Sequence, residues 1–327
     1  MVSDGAAQER ALATAISSLL TGLDPHDLSI TPLLNWGGFV NRSFRVSDGV
    51  RAYFFKVVGD AARRGRLQTL ERLSHRLHER CFAPRMIGRV VVDPTCDGAL
   101  FDWIEGAAPD ALTPRLLDRL IPGLVDLHGD GETASVLRAA GDAHPDCAAT
   151  YLATYHDRLT EDLAFIAQAP PPFLPPERLE WMFEEVNVLE RLVRQAAAFA
   201  FPADRPMHGD LWLDNLLVST SGALHVLDWD ELQLGDPAID WAMLLGPSRR
   251  DIRPATAREP VRLPDLDVAG RERFELYARA SLLDWVIDPL SDWLDAETQP
   301  PGATAVRPEK QAVHERAAAV YQQLYLQ

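Results

Sequence analysis

The segment that decides the fold runs from residue 208 to residue 215 and reads HGDLWLDN. Asp210 is followed five positions later by Asn215, and a short apolar run begins directly afterwards. This spacing suits phosphoryl transfer, because a carboxylate can orient a hydroxyl and accept its proton while an amide oxygen holds Mg²⁺. The Asp-x-x-x-x-Asn pattern alone is common by chance, so the interpretation depends on the residues after Asn215.

A second acidic group comes after a predicted hairpin. Apolar residues at 216–218 and 224–227 predict two short strands joined by the turn 219–222, and Asp228 ends the second strand. A carboxylate at this place can join Asn215 in holding Mg²⁺, which prefers oxygen ligands. The chain then reads DWD at 228–230 and GDPAID at 235–240.

His-x-Asp-x-x-x-x-Asn, a hairpin and an Asp-led motif together resemble the catalytic core of the protein-kinase-like superfamily. HGD at 208–210 and DWD at 228–230 are similar to the variants found in the aminoglycoside phosphotransferase and choline kinase branch. In that branch a Gly-Asp-Pro-x-x-Asp segment also follows the metal-binding aspartate. The resemblance spans roughly residues 30–245 and implies a phosphotransferase with an alcohol group as acceptor. It implies ATP and Mg²⁺ as cofactors, with Asp210 catalytic and Asn215 and Asp228 binding the metal.

The same resemblance assigns nucleotide-binding roles upstream. Lys56, in the apolar strand 54–57, matches the lysine that contacts the ATP phosphates, and it is one of only two lysines in the chain. Glu71, on the predicted helix that comes next, matches the glutamate that orients this lysine. Two alternatives stay open: Glu71 is a solvated glutamate of the helix surface, or Glu79 is the orienting residue.

A glycine-containing loop and a strand end complete the predicted nucleotide site. Two adjacent glycines near residue 37 allow close backbone approach to phosphates, although the loop is not a full GxGxxG. The segment 100–106 resembles the connection where adenine binds backbone groups. The residues assigned to these two places are Gly37, Gly38, Asn41, Ser43, Asp102 and Ile104.

The predicted fold class is α+β, a two-lobed protein-kinase-like fold. A first helix, short strands and one inserted helix occupy residues 1–103, which predicts a small antiparallel-sheet N-terminal lobe that binds nucleotide. From residue 104 to residue 327 helical patterns dominate, which predicts a helical lobe with the catalytic loop and the acceptor-binding helices. The boundary is placed at 102–106, where a strand ends and the composition changes.

Composition excludes several functional classes. The net charge of −16 argues against a general nucleic-acid binder, because an acidic surface repels the phosphate backbone. No run of about 18 apolar residues predicts a membrane span. The cysteines, Cys81, Cys96 and Cys147, form no metal-binding or disulfide pattern, which favours a cytoplasmic protein.

No motif in the sequence identifies the acceptor substrate. An amino- or hydroxyl-bearing small molecule is expected, and a cationic one requires that some carboxylates of the acceptor helices turn inward. The alternatives are a choline, ethanolamine or homoserine kinase and a catalytically weak nucleotide-binding regulator. A protein kinase is a weaker alternative, because Ala-Pro-Glu is absent after Asp228. The candidate acceptor-side residues are His144, His156, Asp157, Glu161, Asp162, Glu184 and Glu185.

Overall fold

The computed structural model describes residues 3–20, 22–33, 42–58, 61–93, 96–141, 143–246, 266–296 and 303–326. Its helices are α1 (Ser3–Ser17), α2 (Ala61–Cys81), α3 (Pro114–His128), α4 (Gly131–Ala140), α5 (Cys147–Tyr151), α6 (Asp157–Gln168), α7 (Pro176–Gln195), α8 (Pro237–Leu245), α9 (Val268–Asp295) and α10 (Arg307–Tyr325). Its strands are β1 (Ser29–Leu33), β2 (Arg42–Ser47), β3 (Ala52–Val58), β4 (Met86–Asp93), β5 (Cys96–Asp102), β6 (Gly106–Ala107), β7 (Arg205–Met207), β8 (Leu216–Ser219), β9 (Leu224–Val226) and β10 (Gln233–Gly235).

The chain divides into two compact units that are not continuous in sequence. The first unit comprises Met1–Pro109 together with Asn215–Leu232, and the second comprises Asp110–Asp214 with Gln233–Gln327. The sequence analysis placed one boundary, after residue 103. Residues 215–232 cluster with the first unit because strand β8 pairs with β6, and because the Val226 N–H donates to the Phe82 carbonyl.

The first unit is built on a five-stranded antiparallel sheet with the order β1-β2-β3-β5-β4. The turn between β2 and β3 forms because the Asp48 carboxylate accepts the N–H groups of Val50 and Arg51, at 2.8 and 2.5 Å. Gly49 takes φ +83°, a conformation that favours glycine. Strand β3 therefore lies in the middle of the sheet, with a neighbour on each side.

Helices α1 and α2 bury the apolar faces that their sequences predict. Leu12 and Ile16 of α1 pack in one cluster with Phe55 of the sheet. The leucines that recur at helical spacing along α2 are all buried, namely Leu67, Leu70, Leu73 and Leu77. Burial of this stripe holds α2 in place, since most helix stability in proteins comes from packing of one apolar face.

The second unit is mainly helical. The 28-residue helix α9 packs against α10, α8 and α6, and aromatic side chains fill the interior beside it, among them Tyr151, Tyr155 and Tyr277. A short antiparallel pair, β7 with β10, brings Met207 opposite Gln233. The predicted α+β kinase-like fold class, with an antiparallel-sheet first part and a helical remainder, is confirmed. In the described ranges no helix is both long and apolar enough to span a membrane.

Candidate active site

Lys56, the residue predicted to bind the nucleotide phosphates, lies in the first unit. It occupies the middle of β3, where it pairs in register with Ser43 on β2 and with Ala99 on β5. Its ammonium contacts two carboxylates, with Nζ 2.6 Å from Asp228 Oδ1 and 2.7 Å from Asp230 Oδ2. Burial by itself would lower the pKa of Lys56, but the two carboxylates outweigh it and raise that pKa above its ordinary value.

Asp228 sits in a tight, strained turn. Its backbone has φ 60° and ψ 64°, the left-handed region that few residues other than glycine, asparagine and aspartate occupy. The next residue, Trp229, is buried, and its Nε1 donates to the Val226 carbonyl at 2.8 Å. This anchor stabilises the turn, so that Asp228 and Asp230 both face Lys56.

Asn215 lies next to this turn along the β8–β9 hairpin. Its carbonyl accepts the N–H of Leu227, the residue before Asp228, at 2.7 Å. The side chain of Asp228 is 40% exposed and Asn215 is half-buried, so that water and phosphate oxygens can reach this part of the first unit. An amide oxygen and a carboxylate match what Mg²⁺ takes from a protein when phosphates and water complete its shell. Among the described residues, no group of three or more His, Cys, Asp and Glu side chains is arranged to hold a metal.

The predicted catalytic loop, in the second unit, is held by a buried aspartate. Asp240, on α8, accepts the N–H of His208 at 2.8 Å and the N–H of Gly209 at 2.9 Å. His128 Nε2 lies 2.9 Å from Asp240 Oδ2, and both side chains are fully buried. Burial would raise the pKa of Asp240, but the bond from His128, the charges of the neighbouring histidines and the Gly209 N–H lower it.

Asp210 follows directly from this anchored backbone. Gly209 takes φ +82°, and the Asp210 N–H donates to His208 Nδ1 at 3.2 Å. The Asp210 carboxylate accepts a hydrogen bond from Trp212 Nε1. The Trp212 ring packs edge-on against Trp285 of α9, with the ring centroids 5.0 Å apart. The loop therefore presents a carboxylate whose orientation is set by an indole.

Helix α8, which carries Asp240, is itself fixed at its start. Asp236 caps the helix by accepting the Ala238 N–H at 3.1 Å, and Pro237 occupies its first turn. The Asp236 carboxylate also pairs with Arg273 of α9 at 2.5 Å and is 1% exposed. Asp236 thus fixes the start of the helix whose Asp240 binds the backbone amides of the loop.

Glu71 does not contact Lys56, contrary to the expectation from the sequence. Its carboxylate lies 3.4 Å from Arg89 Nε and accepts the Arg89 N–H at 3.3 Å. Glu79, the alternative, pairs instead with His75 at 3.4 Å on the exposed face of α2. The physical reason is that Lys56 already has two carboxylates from the turn after β9, and Arg89 offers Glu71 a closer partner on β4.

The remaining assigned residues occupy three different situations. Ser43 is buried on β2 opposite Lys56, and its role in nucleotide binding stays a prediction. The Asp102 carboxylate pairs with Arg85 at 2.6 Å, and Ile104 lies in the segment between β5 and β6. Gly37, Gly38 and Asn41 lie outside the described residues, so their predicted role stays a prediction.

Two residues of this arrangement were not assigned by the sequence analysis. Asp230 is part of the DWD motif, and its ion pair with Lys56 depends on a contact between distant parts of the chain. His128 lies 112 positions before Asp240, and nothing in its own helix distinguishes it from an ordinary core histidine. Its position in the last turn of an apolar helix was the available signal, and it is a weak one.

A comparison with known families supports the identification. A model of the phosphotransferase enzyme family matches residues 33–277, a range that includes Lys56, the loop with Asp210, the turn at 228–230 and Asp240. The chain therefore belongs to the phosphotransferase enzyme family. No curated protein sequence matches the chain.

Solved structures show the same fold at low sequence identity. A choline kinase from Streptococcus pneumoniae is 16% identical with a TM-score of 0.56, covering 95% of this chain and 98% of its own. The Plasmodium vivax ethanolamine kinase is 12% identical with a TM-score of 0.59, covering 92% and 84%. The GDP and kanamycin complex of an APH(2") enzyme is 15% identical with a TM-score of 0.58, covering 95% and 97%. At these identities the likeness shows the kinase-like fold.

Proposed function

We propose that the protein is an ATP-dependent small-molecule kinase that transfers the γ-phosphoryl group to a hydroxyl of an amino- or hydroxyl-bearing acceptor. The observation that carries the proposal is the contact of Lys56 with Asp228, the two groups that the sequence resemblance assigns to the phosphate side. The anchored loop with Asp210 supplies a matching group for the acceptor side. Membership of the family supports the more general statement that the protein is a small-molecule kinase.

In this proposal each residue has one role. The Lys56 ammonium binds phosphate oxygens of the nucleotide as a point charge. Asn215 and Asp228 would hold Mg²⁺, which neutralises charge on the phosphates when it is bound. Asp210 orients the acceptor hydroxyl. The hydroxyl oxygen bonds to the γ-phosphorus while the bond to the β–γ bridging oxygen breaks, the proton passes to Asp210, and ADP leaves with the bridging electron pair.

A cationic acceptor is favoured by the charges on helices α6 and α9 of the second unit. Arg158 lies 2.7 Å from Asp284, 3.8 Å from Asp162 and 4.0 Å from Asp288, so one cation faces three carboxylates. Burial above all, and then the nearby Asp284 and Asp292, raise the pKa of Asp288 to about 8, while Arg158 and Lys310 oppose the rise. Asp284 directly precedes Trp285, whose ring contacts Trp212 beside Asp210. A cationic amine bound beside Asp288 would favour the ionised form of its carboxyl group.

The cellular setting is part of the same proposal. Buried cysteine thiols such as Cys81 and Cys147 fit a reducing cytoplasm. Burial raises the pKa of the Cys147 thiol to about 12, so this thiol is an inert core group.

The test is an ADP-release assay with Mg²⁺ and either ATP or GTP, run against amino sugars, aminoglycosides, choline, ethanolamine and homoserine. With the acceptor that gives turnover, Asp210→Asn is expected to lower kcat by about 10³-fold with unchanged nucleotide affinity. Asp204→Asn is the matched control, because Asp204 is an exposed carboxylate a few residues upstream. Full activity in Asp210→Asn would contradict the mechanism. Nucleotide binding without turnover across a broad panel would favour the regulatory alternative.

A further inference from the structure

The partner of Lys56 differs from the one that the family resemblance supplies. We propose that Asp230 is the positioning residue that holds the Lys56 ammonium for the nucleotide phosphates, in the place assigned to Glu71. This inference rests on the proposed function, because it gives Lys56 its phosphate-binding role. It differs from that function in naming which carboxylate orients the lysine and which element supplies it.

Of the two carboxylates that contact Lys56, Asp230 is the one suited to keep that contact when Mg²⁺ binds. Asp228 is 40% exposed and is the group that would turn to Mg²⁺, whereas the Asp230 side chain is 19% exposed. Without a second carboxylate, the largely buried Lys56 would lose its counter-charge whenever Asp228 engaged the metal. Removing one partner of a buried ion pair is strongly unfavourable. Asp230 at 2.7 Å supplies that counter-charge independently of Asp228.

The turn that carries Asp230 is held from both sides. Trp229 is buried and bonded to the Val226 carbonyl, and the Leu232 N–H donates to the Trp229 carbonyl at 3.2 Å. Glu231 pairs with Arg66 of helix α2, so the turn is also tied to that helix. The ion pair between α2 and the turn therefore has its cation, Arg66, on the helix and its carboxylate, Glu231, on the turn. In the expected lysine–glutamate pair the helix would supply the carboxylate.

Glu71 has a different function in this arrangement. Its partner Arg89 also pairs with the buried Asp97 at 2.8 Å, so that Glu71, Arg89 and Asp97 link α2 to strands β4 and β5. The Glu71 side chain is 43% exposed, and an exposed pair of this kind contributes little to orientation or stability. Loss of the Glu71 charge should therefore leave Lys56 in place.

Carbodiimide cross-linking tests the pair directly, because the reagent joins a carboxylate to an amine in contact with it, as an amide with loss of water. The chain has only two lysines, Lys56 and Lys310, so every lysine cross-link can be assigned by mass spectrometry. The Lys310–Asp292 pair is an internal control for reaction at a buried site. We expect a Lys56–Asp230 product in the wild type and in Asp228→Asn, and its retention when Mg²⁺ and ATP are added. A Lys56–Glu71 product, or no Lys56 product while Lys310–Asp292 forms, would overturn the proposal.

The affinity for nucleotide provides a second, independent test of the role of Asp230. Asp230→Asn is expected to weaken Mg·ATP binding by about tenfold, as for the loss of one close counter-charge, and Asp230→Glu to recover part of it. Glu71→Gln should leave affinity and the Lys56–Asp230 product unchanged, and a tenfold loss in that variant would also overturn the proposal. If the wild type binds no nucleotide, the proposed function fails, while the cross-link in the nucleotide-free protein still decides the Lys56 partner.

Discussion

Replacing Asp240 by asparagine tests how the catalytic loop is held. In the wild type this carboxylate accepts two backbone N–H groups and faces His128, all without solvent. His208 and His128 both contact Oδ2, whereas the Gly209 N–H donates to Oδ1. An asparagine offers one neutral acceptor oxygen, so at least one of the three contacts is lost and the others lose their charged acceptor. Since a hydrogen bond to a buried charge is worth about 1.5–3 kcal/mol, we expect the free energy of unfolding to fall by about 3–5 kcal/mol.

The measurement combines urea unfolding with hydrogen exchange at the His208 and Gly209 amides. At least one of these amides should exchange markedly faster in Asp240→Asn, because the two N–H groups donate to different oxygens and asparagine keeps only one acceptor. Asp118→Asn on the exposed face of α3 is the matched control and should change stability by less than about 0.5 kcal/mol. A loss below about 1 kcal/mol in Asp240→Asn, with unchanged exchange of both amides, would refute the role of Asp240 as the loop anchor.

The same carboxylate makes a prediction about pH. The pKa of Asp240 is lower in the folded chain than its ordinary value of 3.8. The folded state therefore releases this proton more readily than the unfolded state, and the resulting stability is present above the unfolded pKa and lost as pH falls through the folded one. The stability difference between wild type and Asp240→Asn should be constant near neutrality and shrink in acid below pH 3.8. A difference that grows in acid would contradict this assignment.

Local geometry supports predictions at three further positions. Gly98→Ala should destabilise the protein by about 1–3 kcal/mol, because a Cβ there would lie 2.4 Å from the Phe55 ring. Gly65→Ala, in helix α2 with nothing within 4 Å of the new Cβ, should instead stabilise the protein by about 0.5–1 kcal/mol. Thermal unfolding of the two variants checks that one loses and the other gains stability. Trp212→Phe removes the donor to Asp210 and should lower kcat by about tenfold, roughly 1.4 kcal/mol, with nucleotide KM unchanged. An unaltered kcat would show that the indole N–H does not orient the carboxylate.

The fold was predictable from sequence because its elements carry strong local patterns. The leucines of α2 recur at helical spacing, and the turn at Asp48 and Gly49 lies between two apolar strands. The boundary between the units was less predictable, because residues 215–232 join the first unit through strand pairing with β6. Pairing of strands that are far apart in sequence leaves no local pattern.

The candidate site was predicted unevenly for the same reason. Asp210, Asn215 and Asp228 are recognisable because their spacing and the hairpin between them are local features of the chain. Glu71 was a plausible partner for Lys56 by helical position, but position on a helix face does not decide between a lysine and an arginine as partner. The structure places Arg89 at that glutamate.

The sequence by itself determined the family, and it predicted the catalytic loop and the lysine of the nucleotide site. Tertiary structure alone decided the charges around them: Lys56 meets a turn that begins 172 positions later, and Asp240 meets a histidine 112 positions earlier. The physical reason is that a buried charge requires a counter-charge or donor close in space. Which group meets that need depends on how the strands and helices pack, and periodicity along the chain does not contain that information.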